Sequence, residues 1–185
     1  MRRLYNILFS VVFCLASPWL LLKLRRRGPW REAFGQRFGR YAPGELPLVQ
    51  PDTPRLWLHA VSVGEVNTCL QFIHGLRERL PAAQLIVSVT TNTGMAELRR
   101  KLPDGVTPIY FPVDMRGTVR RALDAVRPDA VILVEREVWP NFLWELDARR
   151  IPRFLINARI SERSHRAYRR YGWFFGELLR GFAAG

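Results

Sequence analysis

Ser62-Val63-Gly64-Glu65 ends an apolar run and opens a helical pattern. Glu65 is the one acid in that turn. A carboxylate at a strand-to-helix turn can take a proton from a bound hydroxyl, given reach and a suitable pKa. The same Ser-x-x-Glu spacing is that of a capping box, in which serine caps the helix and glutamate reaches back to a backbone N–H. The pattern leaves cap and base both open. Gly64, just before the acid, permits close backbone approach or an unusual φ. His59 lies inside the preceding run and is expected to be a satisfied core or supporting histidine. No Ser-His-Asp or Cys-His set stands out, and no His or Cys spacing suggests a zinc site.

Three further junctions carry polar side chains. Thr90-Thr91-Asn92-Thr93-Gly94 enters a helical pattern, and its hydroxyls suit either an anion at a helix N-terminus or a simple cap. Glu135-Arg136-Glu137-Val138-Trp139-Pro140-Asn141 sets two carboxylates around an arginine where a buried strand exits. Such charges cost desolvation unless they are paired or used. Asn157-Ala158-Arg159-Ile160-Ser161-Glu162-Arg163-Ser164 offers Asn157, Arg159, Ser161 and Arg163 as candidates for charge-assisted phosphate contacts, with Ser161-Glu162 equally readable as a plain helix start.

Parallel strands must position these turns. Near-continuous apolar runs at Leu56–Ala60, Leu85–Thr90, Thr107–Phe111, Ala130–Val134 and Arg153–Asn157 read as strands covered on both faces. Helical patterns fall at Val66–Leu80, Gly94–Leu102, Gly117–Val126, Asn141–Arg150, Glu162–Arg170 and Trp173–Phe182. The alternation predicts an α/β fold, a Rossmann-like doubly wound parallel sheet over residues 55–185.

Ahead of it, Leu4 to Leu22 is free of charge and flanked by Arg2-Arg3 and Lys23-Leu24-Arg25-Arg26-Arg27. Residues 1–27 are therefore expected to be a hydrophobic anchor helix with a basic flank, either spanning the membrane or lying on it. The heavier basic flank follows the run, which places the globular part on the cytoplasmic side. Residues 28–54 form a connector. Within it Trp30–Phe38 reads as a short amphipathic helix, set either at the interface or against the domain. Pro43, Pro47, Pro51 and Pro54 mark an extended linker.

The formal charge is +13, and 27 of the 29 basic residues are arginine. Residues 1–50 carry +7, residues 51–150 carry +1 and residues 151–185 carry +5. Basic ends suggest an anionic partner such as phospholipid or a phosphorylated ligand. A nucleic-acid role is disfavoured, because the charge sits beside an apolar run and no recognition motif is present. Cys14 and Cys69 form no disulfide framework.

Taken together, the four junctions resemble the N-terminal half of the bacterial 3-deoxy-D-manno-octulosonic acid (Kdo) transferases of lipid A biosynthesis. The likeness rests on these four motifs in order, the first starting at His59, and covers nearly the whole chain, including the hydrophobic N-terminus and the basic Arg/Phe/Gly segment around residues 31–41. It departs mildly at Arg136, where a small polar residue is common, and at Val138 and Ile160, which replace leucines. The resemblance implies a GT-B inverting glycosyltransferase that moves Kdo from CMP-Kdo to the lipid A precursor, in lipopolysaccharide inner-core synthesis at the inner membrane. It implies no cofactor and no metal. It puts Glu65 in the catalytic-base position, and Ser62, Gly64, Thr91, Thr93, Glu135, Glu137, Asn157, Arg159 and Arg163 in acceptor or substrate binding. The family's chain is much longer. The donor-binding C-terminal domain is therefore expected to be absent from these 185 residues, which on their own should be inactive. The alternative is a non-catalytic, membrane-associated binding module derived from the same domain.

Overall fold

In the computed structural model the backbone is described for residues 1–26, 33–135, 138–158 and 172–182, and side chains for the same residues except 20, 21, 23–26 and 175. Five parallel strands make one sheet in the order β3-β2-β1-β4-β5. They are β1 (Arg55–Ala60), β2 (Gln84–Val89), β3 (Val106–Tyr110), β4 (Ala130–Val134) and β5 (Arg153–Ile156). The chain builds outward from β1 to β3, then crosses back to place β4 on the other side of β1. This is the doubly wound topology expected from the apolar runs.

Side chains alternate strictly between two cores. Leu56, Leu58, Leu85, Val87 and Ile132 face α2 (Val63–Arg79) and α3 (Asn92–Lys101). Trp57, Ile86, Ile109, Val131 and Leu133 face α4 (Arg116–Val126) and α5 (Pro140–Arg149), joined by Leu178 of α6 (Gly172–Leu179). Every residue of β1 is buried, as the central strand of a sheet covered on both faces must be. Beyond α6, Phe182 makes a parallel bridge to Arg153 on the outer side of β5.

Helix boundaries differ from the expected ones by up to three residues. α2 starts at Val63 rather than Val66, because Ser62 rather than Glu65 is its N-cap. α6 stops at Leu179, three residues short of Phe182. The helix expected over Glu162–Arg170 lies outside the described residues.

Of the amphipathic helix expected over Trp30–Phe38, residues 30–32 lie outside the described residues, and the rest needs correction. Phe34–Phe38 is a single 3₁₀ turn, entered through Ala33 at φ 49° and left through Gly39 at φ 69°. Glycines at 35 and 39 weaken any longer helix. The turn packs on the domain. The Tyr110 N–H donates to Gln36 Oε1 (2.8 Å), and the Val113 N–H donates to the Arg37 carbonyl (2.8 Å). Gly39 is obligatory: a Cβ there would lie 2.5 Å from the Thr118 carbonyl oxygen of α4.

The N-terminal run forms α1 (Arg2–Arg26) with Pro18 inside it. Proline leaves the carbonyl four residues earlier without its helical donor. Here the Ser17 hydroxyl donates to that carbonyl, Cys14 O, at 2.8 Å. Among the described residues no helix is long and apolar enough to cross a membrane. The first turns of α1 rest on the domain. Tyr5 donates to Asp114 Oδ2 (2.8 Å) and meets the Trp144 ring edge-on at 5.6 Å.

Candidate functional site

The carboxyl ends of β1 and β4 form the crossover point of the sheet. Helices leave these two strands toward opposite faces, and open α/β folds bind ligands in the crevice so formed. Glu65 sits on the β1 side, in the first turn of α2, and is 7% exposed. Its backbone N–H donates to Ser62 Oγ (3.2 Å), the expected capping bond. The return arm is different from a standard capping box. Glu65 Oε2 accepts from the Val61 N–H (2.7 Å), and Oε1 accepts from the Ser62 hydroxyl (2.9 Å). Both carboxylate oxygens are thus held from the strand end, at the positive end of the α2 dipole.

Gly64 is helical and its φ is not positive, so the expectation of an unusual backbone angle fails. A Cβ there would meet nothing nearer than Ser62 Oγ at 3.8 Å. Neither the turn nor the packing demands glycine. The missing side chain leaves the surface beside Glu65 bare, which suits close approach by a ligand.

The second junction sits next door. Thr91 caps α3, its Oγ1 accepting from the Gly94 N–H (3.0 Å) and from the Thr93 hydroxyl (3.2 Å). The Thr91 hydroxyl lies 3.4 Å from the Val61 carbonyl, so the two turns touch. Gly94 makes this possible: a Cβ would come 3.4 Å from the same Val61 carbonyl and 2.9 Å from Thr91 Oγ1. Ser62, Gly64, Glu65, Thr91 and Thr93 therefore form one continuous patch at two neighbouring helix N-termini. Such a surface favours anions.

Arg37, from the 3₁₀ turn, braces this patch from behind. It donates to the Thr90 carbonyl (2.7 Å) and to Asn92 Oδ1 (3.0 Å), with its guanidinium 4.0 Å from the centre of the Tyr110 ring. Burial pushes its pKa down, opposed by Tyr110.

At the ends of β4 and β5, Glu135 and Asn157 both adopt left-handed backbone, φ 62° and φ 52°. The Glu135 N–H extends the ladder to the Ile156 carbonyl (2.9 Å), and Asn157 Nδ2 lies 3.4 Å from Glu135 Oε1. Asparagine takes this region readily. A glutamate held there costs on the order of 1 kcal/mol, the kind of strain that gathers at functional edges. Glu137, Arg159, Ser161 and Arg163 lie outside the described residues.

His59 is buried as expected. Its Nδ1 lies 2.9 Å from Ser88 Oγ and 3.1 Å from the Ser88 carbonyl, and its ring stacks on Phe111 at 3.7 Å. The Trp57 indole N–H donates to the same Ser88 Oγ (2.8 Å). Cys69 is buried in the α2 core, and burial pushes its thiol up to about 12, consistent with a small apolar residue.

One organising residue escapes sequence reasoning. Asp114, in the loop after β3, is 1% exposed and caps α5 from a distance. It accepts from the Asn141 N–H (3.1 Å), the Phe142 N–H (2.9 Å) and Tyr5 Oη. Its carbonyl accepts from Asn141 Nδ2 (2.6 Å). Burial pushes its carboxyl up to about 6, against the opposing pull of these bonds. Asp114 therefore fixes the helix that follows Glu135. Its one sequence signal is an acid placed where strand β3 exits.

Residues 32–184 match the family described as 3-deoxy-D-manno-octulosonic-acid transferase (kdotransferase). The 3-deoxy-D-manno-octulosonic acid transferase of Bordetella pertussis is 35% identical over all of this chain and 42% of its own length. That of Haemophilus influenzae is 31% identical over 75% of this chain and 32% of its own. A probable mitochondrial 3-deoxy-D-manno-octulosonic acid transferase of Arabidopsis thaliana is 31% identical over 82% of this chain and 34% of its own. The chain thus spans less than half the length of these relatives.

Proposed function

Because this chain belongs to the 3-deoxy-D-manno-octulosonic acid (Kdo) transferase family, we propose that it is the acceptor-binding part of an inverting glycosyltransferase that moves Kdo from CMP-Kdo to the lipid A precursor. The observation that carries this reading is the buried Glu65 carboxylate at the crossover of the sheet, beside the bare Gly64 surface and the α3 N-terminus. A sugar hydroxyl entering that crevice meets a carboxylate oriented by Val61 and Ser62. Glu65 takes its proton as the oxygen attacks the anomeric carbon of Kdo. The bond from that carbon to the CMP phosphate breaks, and CMP leaves with the electron pair. A single displacement needs one base and no enzyme nucleophile, which accords with one oriented carboxylate in this turn.

Ser62, Gly64, Thr91 and Thr93 border the crevice on one side, and Glu135 and Asn157 on the other. In this reading they orient the acceptor's hydroxyls and phosphates, with the helix N-termini favouring the anionic groups. Glu137, Arg159 and Arg163 are proposed to contact the acceptor from the same edge. CMP-Kdo is proposed to be held by the part of a family-length enzyme that has no counterpart in these 185 residues. The acceptor is a membrane lipid, so the reading includes work at the cytoplasmic face of the inner membrane.

The direct test is acceptor binding by this chain in detergent. The probe is a phosphorylated, acylated glucosamine disaccharide, with its dephosphorylated form as comparison. Saturable binding that weakens at least tenfold on dephosphorylation is expected. Equal binding of both forms, or none, would contradict the reading.

A further inference from the structure

Apart from the crevice, a cationic recess lies on the α4–α5 face. Arg2, Arg3 and Ile7 of α1 form one wall, and Arg116, Trp144 and Glu145 form the other, enclosing about 560 Å³. Three arginines face one carboxylate. That carboxylate is already shared: Glu145 lies 3.6 Å from Arg116, 3.9 Å from Arg120 and 4.0 Å from Arg149. The recess therefore keeps an excess of positive charge. Its geometry is held by the Tyr5–Asp114 bond and by Arg2, whose guanidinium sits 5.4 Å from the centre of the Trp144 ring.

Ile7 also belongs to a bare apolar stripe. Leu4, Ile7, Leu8, Val11 and Leu15 fall on one side of α1 and are each more than half exposed. Cations at one end of an apolar stripe complement a molecule with an anionic head and a hydrocarbon tail. A free phosphate would use the arginines and leave the stripe uncovered.

We infer that this recess binds the phosphate head of an acidic bilayer phospholipid, its acyl chains lying along the Leu4–Leu15 face of α1. The inference is separate from glycosyl transfer, and its test uses neither donor nor acceptor, so failure here leaves the proposed reaction untouched.

The full chain is bound to phosphatidylcholine vesicles with and without phosphatidylglycerol. Arg3→Gln and Arg116→Gln should each weaken binding to the anionic vesicles about fivefold and leave binding to neutral vesicles unchanged. Arg100→Gln, on α3 and paired with Glu97, should change neither. Equal losses for all three variants would mean a diffuse field and overturn the site. No loss at Arg3 or Arg116 would do the same. Release by inorganic phosphate at matched ionic strength, regardless of vesicle lipid, would reassign the recess to a free anion and overturn the lipid assignment.

Discussion

The spacing of Glu65 from Ser62 leaves cap and base both open, and the proposed reading gives it both roles. It closes the start of α2, yet its carboxylate reaches Val61 and Ser62 Oγ rather than the Ser62 N–H. An entering hydroxyl can replace the Ser62 contact while Val61 keeps the group aimed. Local residues of this kind are legible in sequence, because their partners lie three or four positions away. Asp114 is not, since its partners lie 27, 28 and 109 positions away. Its buried carboxyl gives a testable pH dependence. The folded pKa is raised from 3.8 to about 6, so the native state binds the proton more readily than the unfolded chain. Stability from this group is fully present below about pH 4 and is lost as pH rises to about 6, with a total near 3 kcal/mol as an upper figure. Urea midpoints measured from pH 4 to 7 should therefore fall more steeply in the wild type than in Asp114→Asn. Parallel profiles would contradict this assignment.

At the level of elements, the strands are legible because burial on both faces forces apolar runs, and the βα alternation follows from them. The 3₁₀ turn is not. Trp30, Phe34 and Phe38 keep helical spacing, while Gly39 serves the close approach to α4 and Gly35 the tight approach to the Arg40 carbonyl, which only the fold reveals. Arg153 is a second case. It opens a strand and contributes to the basic stretch 151–185, yet it is 1% exposed. It donates to the Leu143 and Leu178 carbonyls (2.8 Å each) and pairs with Asp147 at 2.8 Å, joining β5, α5 and α6. Replacing it removes both hydrogen bonds and takes this cationic partner from Asp147. Arg153→Met should cost about 3 kcal/mol in chemical denaturation. A loss below about 0.5 kcal/mol, the range of ordinary surface changes, would show that these bonds carry no net stability.

On the scale of the whole molecule, strand order decides which junctions meet. Sequence order alone leaves β1 and β4 far apart, but the crossover makes them neighbours and sets Ser62–Glu65 beside Glu135. The expected Rossmann-like sheet supplies that arrangement. The uneven charge map gains a partial explanation too. Arg37 and Arg153 are spent on bracing the fold, whereas Arg2, Arg3 and Arg116 gather around one recess. The crossover crevice is proposed to have Glu65 as its base. The most direct measurement supplies the donor-binding part of a family member and compares Kdo transfer by wild type and Glu65→Gln. In Glu65→Gln kcat should fall by about 10²–10⁴-fold while acceptor KM and the urea midpoint stay close to wild type. Transfer by Glu65→Gln at the wild-type rate would contradict it.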